Sequence, residues 1–169
     1  MSHDFKLKRL ATRSLDAALE KARHYRDLNQ PEEAESICRD ILAEDPDHQV
    51  ALKILGLALT DRLADFKVGL FEEAIGVFSK LQHEFDRIYH QGVAWERLAK
   101  AHLRRNEAHS ALTSLEHALA AYQRAEEIGP ADSPDAILRW NCCVRMIECH
   151  PSLTEAMESE HSHAPGLGD

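Results

Sequence analysis

Glycine and proline are scarce in this sequence, at 7 and 6 of 169 residues. A many-stranded β fold, which turns every few residues and draws on both for its turns, is thereby disfavoured. No apolar run approaches the ~18 residues of a membrane span. The first residues, Met1 to Leu10, lack the apolar stretch of a secretory leader. Four cysteines occur (Cys38, Cys142, Cys143 and Cys149), and none has the spacing of a secreted disulfide framework. Reduced thiols in a cytoplasm are the expectation. A formal net charge of −9 argues against nucleic-acid binding through a bulk electrostatic field, and no membrane partner is expected.

What is present favours helix. Ala, Leu, Glu and Arg fill many positions, and a helical hairpin pattern recurs. The first copy is Ala18-x2-Lys21-Ala22-x2-Tyr25, then Ala34-x3-Cys38, then Pro46. The second is Leu52-x2-Leu55-Gly56-x2-Leu59, then Ala74-x3-Phe78, and the third is Trp95-x2-Leu98-Ala99-x2-His102, then Ala111-x3-Leu115. Nine residues separate Tyr25 from Ala34 and His102 from Ala111, but fifteen separate Leu59 from Ala74, an insertion of six around 63–69. Trp140-x2-Cys143-Val144-x2-Ile147 reads as the first helix of a fourth unit without a partner. Ala22, Gly56 and Ala99 fall where a first helix must approach its partner, and Ala34, Ala74 and Ala111 fill the matching positions opposite.

On these spacings the chain resembles the tetratricopeptide-repeat (TPR) family over residues 15–148. The resemblance implies an all-α, right-handed solenoid of about three hairpins, with repeats near 15–48, 49–88 and 92–128 and a capping helix at 133–148. Helices are expected near 4–28 (with a break around Thr12), 31–44, 48–63, 70–85, 91–105, 107–128 and 133–148. Residues 1–14 are expected to be helical, and 149–169 to form a flexible polar tail.

No catalytic motif is recognisable. The glycines form no phosphate loop, and no Cys–His or carboxylate pair sits in a pattern that would position a nucleophile. Cys142, Cys143, Cys149 and His150 lack C-x-x-C spacing, so a metal or redox site would need His161 and His163 from the tail. Buried core thiols are the simpler reading. No enzyme activity, metal or cofactor is expected.

TPR proteins bind an extended peptide or a partner helix in a groove lined by the first helix of each repeat. Carried onto this chain, the groove positions are Asp16, Leu19, Arg23, Arg26, Val50, Lys53, Leu57, Thr60, Val93, Glu96, Lys100, Leu103, Leu138, Asn141, Arg145 and Glu148. Five of these sixteen are basic and three acidic, which suits an acidic protein or peptide partner. The positions of the co-chaperone carboxylate clamp hold Leu19, Arg23, Ile54, Val93 and Arg97, and only Arg97 agrees. The favoured partner-binding residues are therefore Arg23, Arg26, Lys53, Leu57, Arg97, Lys100 and Arg145. Two readings stand beside this adaptor: a subunit of a stable complex or homo-oligomer joined through 107–128, near Leu119 and Tyr122, and the C-terminal helix; and a Cys/His sensor. Phe66, Val68, Leu70 and Phe71 of the insertion either pack beneath the helices or meet a partner.

Overall fold

A computed structural model describes residues 5–65 and 67–162. Among them the chain is helical, with no strand: α1 (Leu15–Asp27), α2 (Pro31–Glu44), α3 (Gln49–Asp61), α4 (Leu70–Phe78), α5 (Glu84–Arg104), α6 (Ala108–Ile128), α7 (Asp135–Cys149) and α8 (Pro151–Ser162). Each helix packs on the next, and α3 also touches α1 and α5. The first four helices, with Ala94 and Ala101 of α5, enclose one apolar cluster around Ile41, Leu52, Leu59 and Phe78. The last four enclose a second around Leu112, Leu115, Tyr122 and Leu153, and Leu57 packs against both.

Local chemistry sets the ends. Pro31 starts α2 at its first turn, with Glu32 and Glu33 beside the orphan N–H groups. Asn29 and Asn106 take left-handed φ values of 58° and 59°, where α1 and α5 stop. Both turns carry the same hydrogen-bond pair: Gln30 N–H donates to the Tyr25 carbonyl at 2.9 Å, and Glu107 N–H to the His102 carbonyl at 3.0 Å. Between them, the inserted residues make a 3-10 turn at Leu63–Asp65 and a left-handed Gly69 (φ 87°) that opens α4. Leu63 and Leu70 are buried and Phe71 packs on Trp95, while Val68 is 98% exposed. Phe66 lies outside the described residues.

Several expectations need correction. Residues 5–11 are not helical, and only Thr12–Ser14 form a 3-10 turn. Phe5 and Leu7 remain exposed, and the segment is held instead by Leu10 against the first core and by Arg9 on Glu44 at 2.7 and 2.9 Å. The break between α4 and α5 falls at residues 79–83, because Leu81 is buried in the turn and Arg87 donates to the Leu81 and Gln82 carbonyls. Residues 84–88 therefore belong to α5 and not to the second hairpin. Lastly, much of the expected tail is helix α8: Pro151 begins a helix there, and Leu153 and Ala156 are buried against α6, so the α7 helix has a partner.

Candidate partner-binding trough

The residues expected to line a groove do not share one environment. Leu19, Thr60, Val93 and Glu96 are buried. Most of the cations are already matched by acids from this chain. Arg26 Nε donates to Asp61 Oδ2 at 2.8 Å, and Arg97 Nη1 lies 2.5 Å from Asp61 Oδ1. Arg97 also donates to the Leu57 carbonyl and to Thr60 Oγ1. Lys53 Nζ reaches Asp86 Oδ2 at 3.2 Å, Lys100 Nζ reaches Glu96 Oε1 at 2.6 Å, and Arg23 pairs with Glu20 on its own helix. Arg145 is exposed and has no ion-pair partner among the described residues. Leu57 is half-buried where the two cores meet. The basic groove is thus largely an internal ladder of ion pairs that ties α1, α3, α5 and α7 together.

The ladder centres on Glu96, which is fully buried. It accepts hydrogen bonds from Lys100, from Tyr122 Oη at 2.8 Å and from Arg139 Nη1 at 3.3 Å. Burial alone would raise its pKa. The Lys100 and Tyr122 hydrogen bonds and the Arg139 charge outweigh that, and the carboxyl stays below its usual range. Arg139 is correspondingly raised, with Glu96 overcoming the cost of burial. Burial lowers the pKa of Arg97, but a guanidinium remains charged at physiological pH.

A narrower surface is left for a ligand. A cleft of about 190 Å³ lined by Thr60, Asp61, Leu63, Arg97, Lys100 and Arg104 adjoins one of about 490 Å³. Lys100 and Arg104 line both, and Leu103, Met146 and His150 line the second. Together they form a trough from the end of α3, across α5, to the α7–α8 turn. Arg104 is exposed, and Lys100 has 41% of its side chain exposed. Of the residues expected to line a groove, Thr60, Arg97, Lys100 and Leu103 fall here, whereas Leu63, Arg104, Met146 and His150 were not among them. Arg97, Lys100 and Arg104 are spaced i, i+3, i+7, a helical-face signal visible in the sequence.

The cysteines divide: Cys38 and Cys143 are buried, and burial pushes each thiol up to about 12. Cys142 and Cys149 are exposed, against the expectation of buried thiols. His150 Nδ1 donates to the Met146 carbonyl at 2.7 Å. Among the described residues no three His, Cys, Asp or Glu side chains gather as a metal site, and the His161 side chain and His163 fall outside that part. Also among the described residues, no helix is long and apolar enough to cross a membrane.

No family model matches this chain, and no curated protein matches it.

Proposed function

We propose that this chain is a non-catalytic scaffold of the tetratricopeptide-repeat type, holding an acidic, extended segment of a partner protein in the trough. The observation that carries it is the placing of exposed Arg104, beside half-buried Lys100, between the apolar walls Leu63, Leu103 and Met146. Cations among apolar anchors suit a segment that interleaves carboxylates with aliphatic side chains.

Repeat character is supported by the paired turns at Asn29 and Asn106, where the carbonyls of the equivalent positions Tyr25 and His102 accept the same backbone hydrogen bond. It is supported too by complete burial of Ala22, Ala34, Ala74, Ala99 and Ala111. The four free cysteines fit a reducing cytoplasm. The alternative of assembly through Leu119 and Tyr122 loses its main contact, since Tyr122 is buried inside the chain and Leu119 packs against the same core.

The test uses a dye-labelled peptide alternating glutamate and leucine. Binding that weakens with salt, and falls at least about fivefold in Arg104→Glu and less in Arg104→Ala at unchanged thermal stability, is expected for a rim charge of this kind. Binding untouched by those substitutions would remove the proposal. Lys53 and Lys100 are unsuitable for charge reversal, because each would set a carboxylate against Asp86 or Glu96.

A further inference from the structure

A second surface, at the corner of α6 and α7, has the opposite chemistry. Ile137 and Leu138 are 43% and 61% exposed on α7. Beside them Gln123 and Glu126 of α6, with Ile137 and the half-buried Trp140 of α7, line a notch of about 300 Å³. The first helix, at the other end of the chain, presents polar Asp16, Glu20, Lys21 and Arg23 instead. The α8 helix packs on α6 and α7 but leaves Ile137 and Leu138 uncovered, whereas the outer helices of a stack ordinarily carry polar outer faces.

Charge decides what covers it. Glu126 lines the notch, and Asp132 and Asp135 lie just ahead of Ile137 in the chain. All three are exposed and have no ion-pair partner among the described residues. The nearby cations are engaged: Arg124 pairs with Glu127 and Glu84, and Arg139 turns to Glu96. A second copy docking on this face would bring two acidic rims together, which electrostatics disfavours. We infer that the α6–α7 notch docks a basic amphipathic helix of a partner protein, with an aliphatic side chain seated against Ile137 and Trp140 and lysines or arginines meeting Glu126, Asp132 and Asp135. The chain then has two docking surfaces of opposite charge, and joins an acidic segment to a basic one.

The probe is a dye-labelled helical peptide with leucines on one face and lysines on the other, compared with a peptide that keeps the leucines and replaces lysine by serine. Full-length protein should bind the leucine–lysine peptide about tenfold tighter than the leucine–serine one, with an accompanying change in Trp140 emission. Ile137→Asp should weaken it about tenfold or more, as loss of a central anchor does. Glu126→Lys/Asp135→Lys should weaken it as well, and Arg104→Glu should leave it unchanged, which separates this surface from the trough. Equal affinity for the two peptides overturns the inference, as does undiminished binding by a folded Ile137→Asp protein. If Ile137→Asp lowers thermal stability, the charge-reversed protein decides the matter, and unchanged affinity there counts against the inference. Sedimentation showing a dimer that Ile137→Asp dissolves makes the occupant a second copy, and overturns it too.

Discussion

Tyr122 donates its phenol hydrogen to Glu96 Oε2 at 2.8 Å with both side chains fully buried, joining α6 to α5 at the heart of the second core. Removing the phenol oxygen leaves one lone pair of a buried carboxylate without its donor. Tyr122→Phe should cost about 1.5–3 kcal/mol, the range for hydrogen bonds to charged groups. Glu96→Ala should cost more, roughly 2–4 kcal/mol, because the buried Tyr122 hydroxyl loses its acceptor and the partly exposed Arg139 and Lys100 lose their shared counter-charge. Urea unfolding of both proteins measures this. A Tyr122→Phe protein as stable as the parent would mean that the bond contributes nothing.

Much of the helical order, and the small residues at the helix contacts, were legible because they follow local rules. Ala22, Ala34, Ala74, Ala99 and Ala111 are all fully buried, as their spacing implied. Cys38, Phe78 and Leu115, at the third landmark of each copy, are also 0% exposed. The α8 helix was readable in principle: Pro151 suits a first turn, and Leu153, Ala156 and Met157 have i, i+3, i+4 spacing. The polar composition of the segment, with Glu155, Glu158 and Glu160, is what the expectation of a tail rested on. The start of α5 was likewise readable, because Phe85, Tyr89 and Gly92 mark one face. The trough was harder. Whether Arg26, Lys53 and Arg97 face a ligand or an internal acid depends on Asp61 and Asp86, some 33 to 36 residues away, and no local pattern encodes such pairing. The net basic charge expected of the groove positions is thus largely cancelled by acids that lie outside those positions.

Asp61 is the shared anion of Arg26 and Arg97, so its loss leaves two guanidinium groups close together. Their side chains are only 26% and 19% exposed. Asp61→Ala should therefore destabilise by about 2–4 kcal/mol, somewhat below the range for a fully buried pair broken on one side. Replacing Arg26 alone should cost less, since Arg97 keeps Asp61, Thr60 and the Leu57 carbonyl. A double-mutant cycle of Asp61 with Arg97 should give a coupling larger than that of Asp61 with Arg26. Equal couplings would show that the two arms of the bridge are equivalent.

Stability should fall on acidification in two windows. Burial lowers the pKa of His90, whose Nδ1 donates to the Asp86 carbonyl at 2.7 Å, with Lys53 and Arg139 adding positive charge and Asp86 opposing them. Phe78 and Tyr89 pack on its ring. The unfolded chain then binds the proton more readily than the folded one. The His90 contribution is complete above its ordinary value of 6.5 and declines below it, levelling off once the folded His90 is itself protonated. Glu96 acts lower: its pKa is depressed from 4.5, so its contribution is present above that value and is lost as pH falls through the folded pKa. Melting temperatures between pH 7.5 and 5.5 should drop in the parent and change less in His90→Phe, while the acid limb near pH 4 should remain. An identical slope in both proteins would remove His90 from the account.

Gly56 and Phe78 show how the second hairpin reaches its close approach. A Cβ placed on Gly56 would lie 2.6 Å from Phe78 Cζ, too near for a real contact. Phe78 is fully buried and its ring also packs against His90, so it has little room to retreat. Glycine in the middle of α3 sacrifices about 1 kcal/mol of helix propensity relative to alanine, and propensity alone predicts that Gly56→Ala stabilises the protein. Overpacking a full core typically costs about 1–3 kcal/mol, so the clash should win and Gly56→Ala should be destabilising. Phe78→Leu in the same chain should recover part of the loss, since the shorter side chain vacates the space that the new methyl needs. Chemical denaturation of the two single variants and the double variant checks this by non-additivity. A Gly56→Ala protein more stable than the parent would mean that Phe78 moves freely and that the glycine has no packing role.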